Sequence, residues 1–309
     1  MSHATVQTEE LTYCPHVADS HPSYEPVVLL PSAWQRLWAH SGARVGLVLL
    51  ALYMVCAALA PVLSPHDPTA VNLMSRLAAP SLSGPYILGA DQLGRDILSR
   101  VLYGAGVSIL VGLATIAVSA GVGITLGMIA GYVGGKFDAL VSRFTELLLA
   151  FPYMIFVIGA MAVMGPGFWN LIWALSFKGW VEFFRLARAL TMAEKSKEYV
   201  EAARALGRPT PVIIAAEILP NILSSLMVLA TMRMGKMIVM ESSLSFLGLG
   251  IPPSIPAWGS MINDGRRFLL TSWWVATIPG IALAGLVLAM NLVGEGMRDV
   301  LDPKLVSGS

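Results

Sequence analysis

Charge is what this sequence has least of. Lys, Arg, Asp and Glu make up 13% of its 309 residues, against about 25% in an ordinary soluble domain. A chain of this length without that surface charge does not stay dispersed in water. With 56% hydrophobic residues and a mean hydropathy of +0.70, its main solvent is lipid. A net charge of +1 and the lack of any basic run exclude nucleic acid as a partner. Cysteine is almost missing: Cys14 lies in a polar stretch and Cys56 in an apolar one, which excludes a disulfide framework. The five histidines, His3, His16, His21, His40 and His66, all fall outside the long apolar runs. A Ser–His intramembrane protease or an HExxH zinc protease would need one at membrane depth. No aspartate stands inside an apolar run either, which removes the aspartyl proteases. There is no GxxxxGK[ST], since Gly235-Lys236 is followed by Met237, so the chain has no P-loop for ATP. Cys14, His16 and His21 lie on a tail without pre-set ligand geometry. No catalytic residue, metal ligand or cofactor is therefore expected on this chain. A channel is a remote alternative, because no TVGYG-like filter and no repeated arginine sensor is present.

What is there is long apolar sequence. A span needs about 20 predominantly apolar residues, and six runs approach this: 44–63, 106–131, 140–164, 167–189, 222–249 and 273–293. The expected fold class is an all-α membrane protein with six transmembrane helices. Placing the N-terminus inside leaves twelve Lys and Arg on cytoplasmic segments and five outside, Arg76, Arg95, Arg100, Arg266 and Arg267. The positive-inside rule then puts both termini in the cytoplasm.

The remaining segments organise around these runs. Residues 1–31 are polar, acidic and proline-bearing, read as a disordered tail in which no cleavable signal peptide is visible. Within 32–43, Trp34, Leu37 and Trp38 at i, i+3, i+4 fit an interfacial amphipathic helix, or a plain linker with two aromatic anchors. Residues 64–105 form an extracytoplasmic segment, 106–293 a five-helix core with a polar loop at 191–220, and 294–309 a cytoplasmic tail. Gly123, Gly127, Gly131 and Gly135 make a small-residue face on the second span, suited to close helix approach. Lys178 and Glu182 at i, i+4 can pair within the fourth span, or meet solute. Glu146 in the third span and Glu241 in the fifth face the same choice. Arg233 and Lys236, three residues apart, share one face of the fifth span. Each bare cation at mid-membrane costs about 2.5–3.5 kcal/mol. That face lines a wet cavity, or pairs with Glu241 or Glu146; both readings stand at this point.

The loop between spans four and five, KEYVEAARALGRPTPVIIAAEILPN (197–221), is too long and too charged for a simple hairpin connection. Its spacing predicts a helix over 193–206, a stop at Gly207, a turn at Pro209 and Pro211, and a second short helix to Pro220. Glu201-Ala202-Ala203, then Gly207, then Leu219-Pro220 resembles the EAA loop of ATP-binding-cassette importer permeases. Glu217 stands where that pattern has isoleucine. Three further stretches are similar to the dipeptide/oligopeptide/nickel branch, and to the second permease of its heterodimer. They are LGADQLGRDILSRVLYGAGVSILVG (88–112), SFLGLG-x-x-PP with Trp258-Gly259, and GEGMRDVLDPKL from Gly294. Ala90 and Gly106 depart from the first of these motifs.

The resemblance implies a type I importer core, MetI-like, in a bacterial inner membrane, with a peripheral first span. It implies a second homologous permease, two ATPase subunits that carry ATP and Mg, and an extracytoplasmic solute-binding protein. Glu201, Ala202, Ala203, Arg204 and Gly207 are the expected ATPase-coupling residues. Arg233, Lys236, Glu241, Glu146 and Glu182 are candidates for the translocation pathway. The solute is a peptide, or alternatively a nickel chelate, glutathione or an opine. A membrane scaffold without transport is the remaining alternative.

Overall fold

The structure, a computed structural model, describes residues 37, 38 and 40–301. The tail 1–31, Trp34 and the last eight residues lie outside the described residues. Every regular element described is helical; the single β contact is an isolated bridge between Ala90 and Asp96.

Helix α1 (Ser41–Ala58) starts at His40, whose Nδ1 accepts the Ala43 amide at 3.2 Å. It buries little beyond Ala43 and Gly46. Gly46 lets the backbone of the last helix approach: a Cβ there would stand 2.8 Å from the Leu292 side chain. The Tyr53 hydroxyl donates to the Ala282 carbonyl at 2.8 Å. The first span is thus a peripheral helix strapped to the outside of the bundle.

Helix α2 (Ile97–Val133) has 37 residues, about 55 Å at 1.5 Å per residue, well beyond a hydrocarbon core of about 30 Å. It starts nine residues before the apolar run because Asp96 caps it, accepting the Ser99 amide at 3.0 Å. Its glycine face packs as the spacing implies. A Cβ on Gly127 would stand 2.6 Å from the Phe184 carbonyl, and one on Gly131 2.7 Å from the Arg188 carbonyl, so helix α5 lies backbone to backbone against it. Gly135 does not join this face. It falls past the helix end at φ +65°, with open space around it.

The third expected span is not one straight helix. Helices α3 (Gly135–Ala150) and α4 (Tyr153–Met164) meet at a bend of 91°. Pro152 disfavours a helical Phe151 and cannot donate a backbone hydrogen bond, so the ladder breaks there. Helix α5 (Phe168–Glu194) follows. Helix α6 (Glu198–Ala205) is the short loop helix, shorter than expected because the helix ladder gives way to a turn at 195–197.

The second loop helix does not stop at Pro220. A turn at Thr210–Val212 runs through a π-turn, Ile213–Ile218, into helix α7 (Leu219–Phe246). In a regular helix Pro220 would clash with the residue 216 carbonyl; the wider π-turn opens the ladder at that point and keeps the helix continuous. Helices α8 (Trp258–Gly265) and α9 (Trp274–Leu301) complete the bundle, α9 extending eight residues beyond the apolar run.

Gly294 lies against Met232 and Gly235 against Met290, so α9 runs antiparallel to α7. The His40 ring is 3.2 Å from the Asp299 carboxylate, joining the start of α1 to the end of α9. Among the described residues four helices are long and apolar enough to span alone, α7 counted from Thr210, and the bent α3–α4 pair adds a fifth where it crosses as one broken span rather than as a re-entrant loop. Helix α5 falls short because Lys178, Glu182, Arg185 and Arg188 interrupt it.

Candidate functional site

Two constellations carry polar chemistry at opposite ends of the bundle, and a charged belt lies between them. At one end, α6 docks by one face only. Val200 and Ala203 are buried against Ile213, Ile218 and Ile222, over Met128 of α2 and Ala187 of α5. Glu201, Ala202 and Arg204 point outward. Of the two motif alanines, one therefore faces solvent and the other fills the loop's own core. Gly207 sits at φ +75°, with open space where a Cβ would stand. The Gly207 amide donates to Arg204 and the Arg208 amide to Ala203, a Schellman closure that only a left-handed residue completes.

The loop is fastened on its inner side. Lys195 Nζ donates to the Gly131 carbonyl at 3.0 Å, satisfying a free carbonyl at the end of α2. Glu194 accepts from Lys197 at 2.7 Å and from the Tyr199 hydroxyl at 2.6 Å. Burial pushes the Glu194 carboxyl up, but these two donors outweigh it and hold the group below its ordinary range. Burial and the same carboxylate push the Tyr199 hydroxyl up to about 12. Arg208 pairs with Glu217, the residue standing in the isoleucine place of the motif. Arg204 lies over the Tyr132 ring at 5.5 Å. Leu206 is 83% exposed beside Gly207. Sequence reasoning passed over this leucine, although an apolar residue next to a helix stop is a legible signal.

At the opposite end, the LGADQLGRD stretch folds around buried charge. Asp91 accepts Arg95 Nε at 2.6 Å and the Arg95 and Leu93 amides at 2.9 and 2.8 Å. Arg95 also reaches Asp264 at 3.6 Å, and Arg100 donates to the Pro68 carbonyl at 3.1 Å. Trp258 is fully buried, its indole N–H donating to Val101 at 3.1 Å. Gly94, at φ +73°, closes on the Asn72 carbonyl with no room for a Cβ. The two motifs around Arg95 and Trp258 are thus halves of one cap.

Between the ends, the pairing differs from expectation. Glu182 does not pair with Lys178; it pairs with Arg233 across α5 and α7. Lys178 is buried and donates instead to the Phe151 carbonyl left free at the α3–α4 bend, beneath the Tyr153 and Phe156 rings. Glu146 pairs with Arg143 on its own helix at 2.8 Å and does not reach Arg233. Glu241 is fully buried, accepting from Ser108, Ser242 and Ser245 at 3.3, 3.1 and 2.9 Å, with no cation beside it. It ties α7 to α2 rather than lining a cavity. Lys236 is exposed and has no ion pair among the described residues.

A helical bundle with a docked loop at one end and a sealed cap at the other matches known proteins over nearly its whole length. Residues 123–307 match the binding-protein-dependent transport system inner membrane component, and residues 29–80 the N-terminal TM domain of oligopeptide transport permease C. The chain belongs to this family. It is a membrane permease subunit of an importer. It is 37% identical to the di/tripeptide transport system permease protein DppC of Pseudomonas aeruginosa, over 92% of this chain and 96% of that one. It is 38% identical to the dipeptide permease DppC of Bacillus subtilis, over 88% and 85%. It is 37% identical to the oligopeptide permease OppC of Haemophilus influenzae, over 88% and 89%. The inward-facing MetNI methionine ABC transporter shares the permease's fold at a TM-score of 0.52, with 17% identity, covering 66% of this chain and 97% of that one.

Proposed function

We propose that this permease forms half of the translocation pathway of a peptide importer, beside a second, homologous permease. Two ATPase subunits bearing ATP and Mg would dock on the α6 loop, and an extracytoplasmic binding protein would deliver solute to the cap built on Asp91 and Trp258. Both termini and α6 face the cytoplasm in this reading. The observation that carries it is the one-sided docking of α6. Its inner face is locked by Val200 and Ala203. Its outer face offers Glu201, the small Ala202, Arg204 and the apolar Leu206 to a partner. A helix held this way transmits a push to α5 and α7 together, because its packing partners belong to both. The names of the DppC and OppC relatives support a short peptide as the solute.

The test is uptake of a labelled dipeptide by cells carrying the five components, with and without this chain. Uptake that depends on this chain and on ATP is expected. Uptake that survives its deletion overturns the reading.

A further inference from the structure

In the middle of α7 the charges do not balance. Three cations, Lys178, Arg233 and Lys236, share this belt with one anion, Glu182. Glu182 is taken by Arg233, and Lys178 is spent on the Phe151 carbonyl. Glu241 is sealed among three serines and Glu146 is held by Arg143. Among the described residues two cations are left without a counter-charge, and of these Lys178 is buried and Lys236 is exposed. Lys236 stands ten residues before the end of α7 at Phe246, about 15 Å in at 1.5 Å per residue, near the middle of a bilayer core of about 30 Å. A bare ammonium at that depth does not face acyl chains when another arrangement exists.

The surface around it supplies one. Met232, Lys236 and Val239 are exposed along one stripe of α7 that continues through Ser243 to the exposed Leu247 capping the helix. A groove of about 340 Å³ begins one turn from Lys236 and follows this stripe toward α8. Its walls are Val239, Ser242, Ser243, Phe246 and Leu247, closed by Ile262 of α8 and Leu283 of α9. An apolar-walled groove with Lys236 one turn beyond Val239 at one end and Arg266 over the Phe246 ring, 5.6 Å away, along its wall attracts an anionic group, since apolar walls screen little.

We propose that Lys236 is a way-station for a carboxylate of the passing solute, on a water-accessible face of α7, and that the Arg233–Glu182 pair sets its strength. Glu182 keeps Arg233 neutralised, so the face holds one positive charge instead of two and the solute's carboxylate is released again. The inference rests on the permease reading above.

The test uses the assembled complex with Cys14 and Cys56 replaced by Ser and a Val239→Cys reporter one turn from Lys236. Modification of this chain is timed with an anionic reagent, sulfonatoethyl methanethiosulfonate, and with its cationic trimethylammonioethyl analogue. A faster anionic reaction is expected, with the anion-to-cation rate ratio falling about threefold to tenfold in Lys236→Gln. The Lys236→Arg variant keeps the ratio, and Glu182→Gln, by freeing Arg233, raises it. A reporter that reacts with neither reagent while a cysteine at the exposed Ser83 (Ser83→Cys) reacts with both overturns the inference, because the face is then sealed by lipid or by a neighbouring subunit. A ratio unchanged by Lys236→Gln overturns it as well. Dialanine and alanyl-aspartate uptake are measured in parallel. A complex that labels as expected but moves neither peptide overturns the peptide reading and leaves the anion-attracting face standing.

Discussion

Single residues decide most where charge is buried. Asp91 and Arg95 are 4% and 6% exposed, and Arg100 is 1% exposed. Taking three ionised groups out of water is tolerable only because Asp91 meets both Arg95 and Arg100 and accepts two backbone amides. Asp91→Asn removes the anion the two guanidinium groups share, leaving Arg95 with Asp264 alone and Arg100 without an ion-pair partner among the described residues. Loss of one partner of such a pair costs about 3–5 kcal/mol. The variant is expected to insert but to unfold at lower temperature in detergent, read as a fall in the Tm of the purified complex; an unchanged Tm would deny the cap its structural role. Arg95 and Arg100 look like ordinary loop charges in the sequence, because the groups that bury them, Pro68, Pro253 and Asp264, lie up to 169 positions away. Gly207 was legible for the opposite reason. A helix stop is a local event, and its left-handed backbone follows from a helical run ending beside two prolines.

Whole elements show where apolar periodicity reads well and where it fails. The α2 glycine face was legible because its four-residue repeat is a property of one helix, and only Gly135, past the end, broke ranks. The α3–α4 pair was not, because a run of apolar residues carries no information about direction, and Pro152 turned it through 91°. The same blindness extended the second loop helix: Pro220 reads as a stop, but a π-turn absorbs it. At this scale the loop's inner fastening makes a pH prediction. Glu194 is held below its ordinary range by donors that exist only when the loop is docked, so it stabilises docking above the free carboxyl's pKa. That contribution is lost as pH falls through the lower, docked value. Acidification below about pH 4 should raise amide exchange over residues 195–209 in the wild type. In Glu194→Gln the same segment should exchange faster at neutral pH and respond little to acid. Identical profiles in both proteins would remove Glu194 as the fastening.

For the molecule as a whole, the loop and the charged belt are joined by continuous packing, which is what the proposed coupling requires. The α6 core contacts α2, α5 and α7 through Met128, Ala187 and Ile222, and α5 and α7 are joined again at mid-height by the Glu182–Arg233 pair. A partner that moves α6 therefore moves the charged belt. The Schellman closure at Gly207 fixes the angle between α6 and the helix that continues into α7, which makes it the place to test the proposed coupling without breaking the fold. Gly207→Val puts a β-branched residue at φ +75°, at a cost of about 1–2 kcal/mol, while its side chain enters open space and disturbs no core contact. Asparagine tolerates that backbone far better. The Val variant is expected to insert and assemble at wild-type levels yet lose solute-stimulated ATP hydrolysis by the complex, and Gly207→Asn to keep most of it. If Val retains full stimulation, the loop geometry does not carry the push. If Val and Asn lose it equally, the defect lies in contact with the partner and not in the backbone angle.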